Sequence, residues 1–134
     1  EHVLIVHSDD GLDEISLAAE TSIAELKDGE ITEYKLKPED VGIDSQSLIG
    51  LTVENAEQSY KLIKDALGKR ETDAGNKAAD IIALNSGAAI YAANIASSLE
   101  QGVEMAQDAI YSGLALGKLS ELVTFTRCFV EDQV

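Results

Sequence analysis

Cysteine is almost absent from this chain of 134 residues, since Cys128 is the only one. A single cysteine cannot form a disulfide within the chain, which fits a reducing compartment. No secretory leader pattern opens the sequence, so we expect a cytoplasmic protein. No base that could activate the thiol is evident near Cys128, and we interpret this residue as unreactive.

Basic residues are also scarce, with 10 Lys and Arg against 25 Asp and Glu and a formal net charge of −15. Such a charge repels phosphate backbones and anionic lipid headgroups, so we expect neither a nucleic-acid nor a membrane-surface partner. No apolar run approaches the roughly 18 residues that a membrane-spanning helix requires. Any phosphate-bearing ligand would need a metal ion to bridge it to this protein.

What the chain does have is a concentration of acids in "VHSDDGLDEIS", directly after the apolar run "VLIV". The run predicts a strand buried on both faces, as in a parallel sheet covered by helices. Ligands of open α/β sheets bind beyond the carboxyl ends of strands, where these acids lie. Asp13 and Glu14 are hard oxygen donors of the kind that bind Mg²⁺, if the backbone turns near Gly11. The alternative interpretation is a solvated acidic surface loop.

The remaining pattern predicts strands first and helices later, which indicates an α/β or α+β domain. Two β-favouring runs, 21–27 and 30–36, flank the turn dipeptide Asp28-Gly29 and predict a hairpin. Pro38 is suited to the start of a helical turn. Helical periodicity predicts four further segments: one capped by Thr52 and Gly68, an alanine-rich buried helix, one with Ser97 and Glu100 as a capping box, and one from Leu114. The segment around Gly75 reads as a weak break.

Two polar residues outside the acidic segment are candidates for a role. His7 ends the first strand without a second histidine at metal-binding spacing, so we assign it none. Asn85 lies in the alanine-rich helix, and we interpret it as a hydrogen-bonded structural group rather than a functional one.

Six segments together resemble the carboxyl-terminal part of anthranilate phosphoribosyltransferases, in the same order and over almost the whole chain. They are "DGLDEIS", "AELKDGEI", "PEDVGI", "LNSGAAIYAA", "SLEQGVEMA" and "SGLALGKLSELV". The resemblance implies an α/β fold, namely part of a helix-flanked central sheet domain of the nucleoside phosphorylase/phosphoribosyltransferase type, with a β-hairpin and several C-terminal helices. It also implies transfer of phosphoribose from 5-phosphoribosyl 1-diphosphate to the amino group of anthranilate, with release of diphosphate, in tryptophan biosynthesis.

By the same resemblance, Asp13 and Glu14 bind the Mg²⁺ ions that carry the diphosphate of the substrate. Mg²⁺ there would offset the charge that develops on the departing diphosphate, and it would let an acidic protein hold a polyanion. Asp9 and Asp10 are not ligands in the family, and we interpret them as solvated loop acids that raise the local negative potential. No catalytic residue is assigned in this chain.

The glycine-rich phosphate loop and the substrate-binding segments of the family lie upstream of the matching region, and no "GTGGD"-like run occurs here. We therefore interpret residues 1–134 as the carboxyl-terminal part of the catalytic domain, without the amino-terminal helical domain that forms the family's homodimer. We expect this part alone to be inactive and prone to associate. Two alternatives stay open: a pyrimidine nucleoside phosphorylase-like enzyme, and a noncatalytic structural module.

Overall fold

The computed structural model describes residues 1–131; the last three residues of the predicted domain, 132–134, lie outside them. A three-stranded antiparallel sheet is followed by a 3-10 turn and four α-helices, which confirms the predicted α/β class with a hairpin and C-terminal helices. The strands are β1 (His2–Ser8), β2 (Thr21–Lys27) and β3 (Glu30–Leu36), in that order across the sheet. The turn is Pro38–Val41, and the helices are α1 (Ala56–Leu67), α2 (Asp73–Ala92), α3 (Leu99–Tyr111) and α4 (Leu114–Glu131).

The hairpin between β2 and β3 forms where the sequence predicts it. Asp28 and Gly29 both have positive φ, 52° and 84°, and Lys27 pairs with Glu30 across them. Positive φ at both central residues defines the type I′ turn, whose twist matches that of the flanking strands. The dipeptide therefore sets the register of the whole β2–β3 ladder.

The predicted parallel pairing of β1 is wrong for the strand it contacts, and residues 1–131 cover only one face of β1. β1 pairs antiparallel with β2, and within residues 1–131 the sheet has no parallel pair. Leu4 and Val6 are half-buried and pack against the core, whereas Val3 and Ile5 on the other face are exposed. An apolar run does not distinguish one covered face from two, because it reports side-chain polarity and not what covers it.

Two helices begin later than predicted. Asn55, not Thr52, caps α1 by accepting a hydrogen bond from the Gln58 N–H. Ser98, not Ser97, caps α3 by accepting from the Gln101 N–H. In both places several cap-forming residues stand close together, and only the backbone path decides between them.

The alanine-rich helix α2 is buried, as predicted, and it packs against α3 through two glycines. A Cβ built on Gly102 would lie 2.3 Å from the Gly87 carbonyl oxygen. Gly75 lies inside the first turn of α2 and does not mark a break. A Cβ at this position would meet the Asp65 carboxylate at 2.0 Å. Close contact, not flexibility, explains these glycines.

The core lies between the inner face of the sheet and the helices. It includes Ile15 and Leu17 from the segment after β1, Ile23 from β2, Leu84 from α2 and Val103 from α3. None of the helices within residues 1–131 combines the length and the apolar character that a membrane span needs. Burial of Ile15 and Leu17 fixes the acidic segment to the body of the domain.

Candidate metal-binding loop

The acidic segment is a folded loop that leaves β1 at Ser8 and returns to β2 at Thr21. Ser8 is fully buried; its N–H donates to the Leu12 carbonyl at 3.0 Å, and its carbonyl accepts from the Gly11 N–H at 3.0 Å. Gly11 has φ of 93°, a conformation that favours glycine. The backbone thus turns at the position where the sequence required a departure from strand geometry.

Asp10 is exposed, as predicted for a solvated loop acid, and it also holds the loop through hydrogen bonds that the sequence did not reveal. Its carboxylate accepts from the Ser16 hydroxyl at 2.6 Å and from the Leu12 N–H at 3.3 Å. Ser16 is fully buried, and its hydroxyl also accepts from the Ala18 N–H at 2.9 Å. The hydrogen bond from Ser16 is the main cause that holds the pKa of Asp10 below its usual value.

Asp9 is exposed, as predicted, and Lys35 from β3 reaches its carboxylate. The Lys35 Nζ lies 2.7 Å from an Asp9 oxygen and 3.3 Å from a Glu20 oxygen, and Lys37 lies 3.2 Å from the other Glu20 oxygen. Hydrogen bonds from Lys37 and then Lys35 lower the pKa of Glu20. Two lysines therefore offset part of the negative charge on one side of the loop.

Asp13 and Glu14 differ from their acidic neighbours because both are exposed and neither has a hydrogen bond or ion pair with the described side chains of residues 1–129 or the backbone of residues 1–131. Partial burial of the Glu14 carboxyl raises its pKa, and the adjacent charge of Asp13 raises it further. Two adjacent carboxylates that repel each other and lack a protein cation suit a cation as partner.

The donor set fits Mg²⁺ bound jointly by protein and substrate. No group of three or more His, Cys, Asp or Glu residues that could enclose a metal occurs in the described part of the chain. Mg²⁺ commonly takes one or two carboxylates, with water and substrate phosphates completing its octahedron, so two free carboxylates suffice. Asp13 and Glu14 are the residues that would hold it.

Asn85 contacts this loop across 70 positions of sequence. Its side-chain oxygen accepts from the Ile15 N–H at 2.8 Å, and its amide donates to the Ile15 carbonyl at 2.9 Å and to the Ile81 carbonyl at 3.0 Å. The prediction that Asn85 is a hydrogen-bonded group is confirmed. Sequence reasoning missed that two of its bonds go to the residue after Glu14; an asparagine in the apolar part of an alanine-rich helix was the available signal.

The two other residues considered from sequence lie apart from these contacts. His7 is exposed near the end of β1. Cys128 is exposed on α4, where its thiol donates to the Thr124 carbonyl at 3.6 Å. Neither contacts Asp13 or Glu14.

A family profile described as "Glycosyl transferase family, a/b domain" matches residues 1–116, which is most of the chain. The chain belongs to this family. The match includes the sheet, the acidic loop, α2 and α3, so Asp13, Glu14 and Asn85 lie inside the family's α/β domain.

Curated proteins similar to this chain include anthranilate phosphoribosyltransferases of several bacteria. The chain is 64% identical over 132 residues to anthranilate phosphoribosyltransferase of Ectopseudomonas mendocina (strain ymp) and 62% identical over 133 residues to that of Acinetobacter baumannii (strain AYE). These matches cover 98% and 99% of this chain, and the chain spans 38% of the length of each relative. The resemblance seen in the sequence is confirmed.

Solved structures agree on the fold. Anthranilate phosphoribosyltransferase from Thermus thermophilus is similar with a TM-score of 0.80 and 34% identity, over 94% of this chain and 36% of that one. The Saccharomyces cerevisiae enzyme, solved in complex with PRPP and Mg, is similar with a TM-score of 0.72 and 23% identity, over 87% and 33%. The second likeness is one of fold alone.

Proposed function

We propose that the full-length protein carrying this chain is an anthranilate phosphoribosyltransferase, and that Asp13 and Glu14 hold the Mg²⁺ that binds the diphosphate of its substrate. The reaction breaks the bond between C1 of phosphoribosyl diphosphate and the diphosphate oxygen, forms a bond to the amino nitrogen of anthranilate and releases a proton. The observation that carries the proposal is the pair of exposed, unpartnered carboxylates on an otherwise bonded loop, in a chain 64% identical to a relative of that name.

Charge supports a metal-bridged substrate. The chain has a formal net charge of −15, and Lys35 and Lys37, which contact the loop, are already paired with Asp9 and Glu20. A diphosphate placed beside Asp13 and Glu14 would be repelled without a cation. Bound Mg²⁺ would supply electrostatic stabilisation of the leaving diphosphate. The residues of this chain contribute the anchor and its orientation.

The domain assignment rests on the sheet. We propose that residues 1–134 form the carboxyl-terminal part of a larger catalytic domain. The helices pack on one face of the three-stranded sheet, while Val3, Ile5 and Ile31 on the other face are 45%, 68% and 72% exposed. Exposed apolar sheet faces and free strand edges are usually covered in native proteins. The chain spans 38% of its relatives, so the remaining length is large enough to supply that cover.

The family resemblance extends the proposal to a cytoplasmic homodimer acting in tryptophan biosynthesis, with phosphoribosyl diphosphate and anthranilate as its ligands. Tight homodimer contacts and the anthranilate site would lie in the rest of the protein.

The test is an assay of the full-length protein. We expect Mg²⁺-dependent loss of anthranilate fluorescence when phosphoribosyl diphosphate is added. Asp13→Asn and Glu14→Gln should each slow this loss about 100-fold, because removal of part of an electrostatic anchor for developing charge costs roughly 3 kcal/mol.

The matched control is Asp28→Asn, the same chemical change in the exposed hairpin turn. Asp28 has φ of 52°, which asparagine adopts readily, so this variant should retain the parent rate. A parent protein that consumes no anthranilate would refute the proposed reaction. Unchanged rates in both loop variants would refute the assignment of the metal to them.

A further inference from the structure

We infer that Asn85 is a positioning residue for the two proposed metal ligands, Asp13 and Glu14. From the neighbouring helix α2 it fixes the orientation of the backbone that carries them. This inference rests on the proposed function. In this role Asn85 touches neither metal nor substrate, because it acts through its hydrogen bonds to the backbone of Ile15.

The carboxamide of Asn85 engages both backbone polar groups of one residue. Its oxygen accepts from the Ile15 N–H at 2.8 Å while its nitrogen donates to the Ile15 carbonyl at 2.9 Å. The same nitrogen donates to the Ile81 carbonyl, one turn earlier in α2, at 3.0 Å. That third bond fixes the side-chain rotamer, so the loop is held by a group that cannot rotate freely.

The bond to the Ile15 N–H determines where Glu14 points. That N–H belongs to the peptide bond between Glu14 and Ile15, whose plane contains the Cα of Glu14. An acceptor fixed on α2 therefore fixes the orientation of this plane and the direction in which the Glu14 side chain leaves the backbone. Ile15 itself is 1% exposed, so its side chain anchors the same point in the core.

The Asp13–Glu14 segment is held by hydrogen bonds to the residues on both sides of it, Leu12 and Ile15. On the Leu12 side, the Asp10 carboxylate accepts from the Leu12 N–H at 3.3 Å. Asp13 and Glu14 are thus the two residues between fixed neighbours, and they alone in this stretch have free carboxylates. Supporting groups that orient metal ligands in this way typically change metal affinity or activity about 10- to 100-fold when removed.

Loss of Asn85 should loosen the segment locally instead of unfolding the domain. The loop keeps the buried Ser8 bonds, and the Gln46 N–H still donates to the Leu17 carbonyl at 2.9 Å. A purely structural residue would change stability and leave metal binding unaltered. The distinction is therefore measurable.

The experiment uses the full-length protein with Mn²⁺ as a probe for Mg²⁺, measured by electron paramagnetic resonance in the presence of phosphoribosyl diphosphate. We expect Asn85→Ala to weaken Mn²⁺ binding at least about tenfold. Amide exchange at Ile15 should also accelerate. At saturating Mg²⁺ the kcat should return to within about threefold of the parent value, because the ligands themselves remain. Asn85→Ser provides a second variant, with the same expected direction, if the alanine variant fails to fold.

Two controls separate positioning from stability. Asn76→Ala removes an exposed asparagine of the same helix, whose amide donates to the Arg70 and Thr72 carbonyls, and it should leave Mn²⁺ binding unchanged. Asp80→Ala removes a different hydrogen bond to α2, which the Gln46 side-chain amide donates to the Asp80 carboxylate at 2.7 Å. This variant should have a lower melting temperature and unchanged Mn²⁺ affinity.

Parent-like Mn²⁺ affinity in both Asn85 variants would overturn the inference. If Asp13→Asn weakens Mn²⁺ binding in that case, the proposed metal site survives and only the role of Asn85 is lost. If Asp13→Asn also binds Mn²⁺ normally, the metal assignment itself is refuted, and the role of Asn85 with it.

Discussion

At the scale of single residues, the contrast among neighbouring carboxylates decides what each can do. The Asp10 carboxylate accepts a hydrogen bond from the Ser16 hydroxyl at 2.6 Å, and the Asp9 carboxylate forms an ion pair with Lys35 at 2.7 Å. Asp13 and Glu14 are exposed and have no such partners among the side chains described, those of residues 1–129. Four acids that look equivalent in sequence thus divide into two that shape the loop and two that are free to bind a cation.

Glu25 shows a second use of a carboxylate. It lies in β2, where it pairs with Leu4 near the start of β1, at the end of the sheet away from the acidic loop. It is 7% exposed and accepts from Tyr91 at 2.7 Å, His2 at 2.9 Å and Tyr34 at 2.9 Å. Burial raises the pKa of Glu25, but the hydrogen bonds outweigh burial and the net pKa lies below 4.5. The ionised carboxylate therefore joins β1, β2, β3 and α2.

Tyr91→Phe should weaken this cluster. The pKa of Glu25 is lower in the folded than in the unfolded protein. Ionised Glu25 therefore contributes to the free energy of unfolding above about pH 4.5, and this contribution is lost as the pH falls through the lowered folded pKa. We expect the variant to lose about 2 kcal/mol at pH 7, as for a hydrogen bond to a charged group, and less at about pH 3. Urea unfolding at both pH values measures this difference.

Tyr60→Phe is the control, since Tyr60 is a half-exposed tyrosine of α1. It should change the free energy of unfolding by less than about 0.5 kcal/mol at either pH. Equal effects of the two substitutions, or a Tyr91→Phe effect that does not shrink in acid, would contradict the role given to Glu25.

At the scale of elements, the contact between α2 and α3 is the most demanding. Gly102→Ala should destabilise the protein by about 3 kcal/mol, because its Cβ would meet backbone atoms of Gly87 that cannot move aside. Gly117→Ala is the matched change in α4, where nothing lies within 4 Å, and it should stabilise by about 0.5–1 kcal/mol through helix propensity. Thermal unfolding of both variants checks the opposite signs; a neutral Gly102→Ala would disprove the close contact.

The elements also show what the sequence alone can predict. The hairpin and the buried helix α2 follow from local chemistry, namely a turn dipeptide and an alanine-rich apolar run. The cover on β1 and the choice of Asn55 as helix cap depend on the path of the backbone. The candidate site divides in the same way: family resemblance indicates Asp13 and Glu14, whereas the partner of Asn85 is 70 positions away and is invisible to any local pattern.

At the scale of the whole molecule, the exposed outer face and free edge of β1 predict the behaviour of this chain in isolation. Expressed alone, residues 1–134 should associate at micromolar concentration, because Val3, Ile5 and Ile31 form an apolar surface beside an unpaired strand edge. Sedimentation velocity should show oligomers, and Ile5→Lys should reduce them. A compact, monodisperse monomer in the unmodified chain would contradict the expectation that further protein covers this surface.

In the proposed function, the formal charge of −15 and the paired state of Lys35 and Lys37 would make binding of the substrate depend on a cation. The most direct measurement is therefore calorimetric titration of phosphoribosyl diphosphate into the full-length protein, with and without Mg²⁺, for the parent and Asp13→Asn. We expect Mg²⁺ to strengthen binding to the parent at least about tenfold, and the gain to be largely lost in the variant. Equal affinity with and without Mg²⁺, or an equal Mg²⁺ effect in Asp13→Asn, would contradict the claim that this loop holds the substrate through a metal.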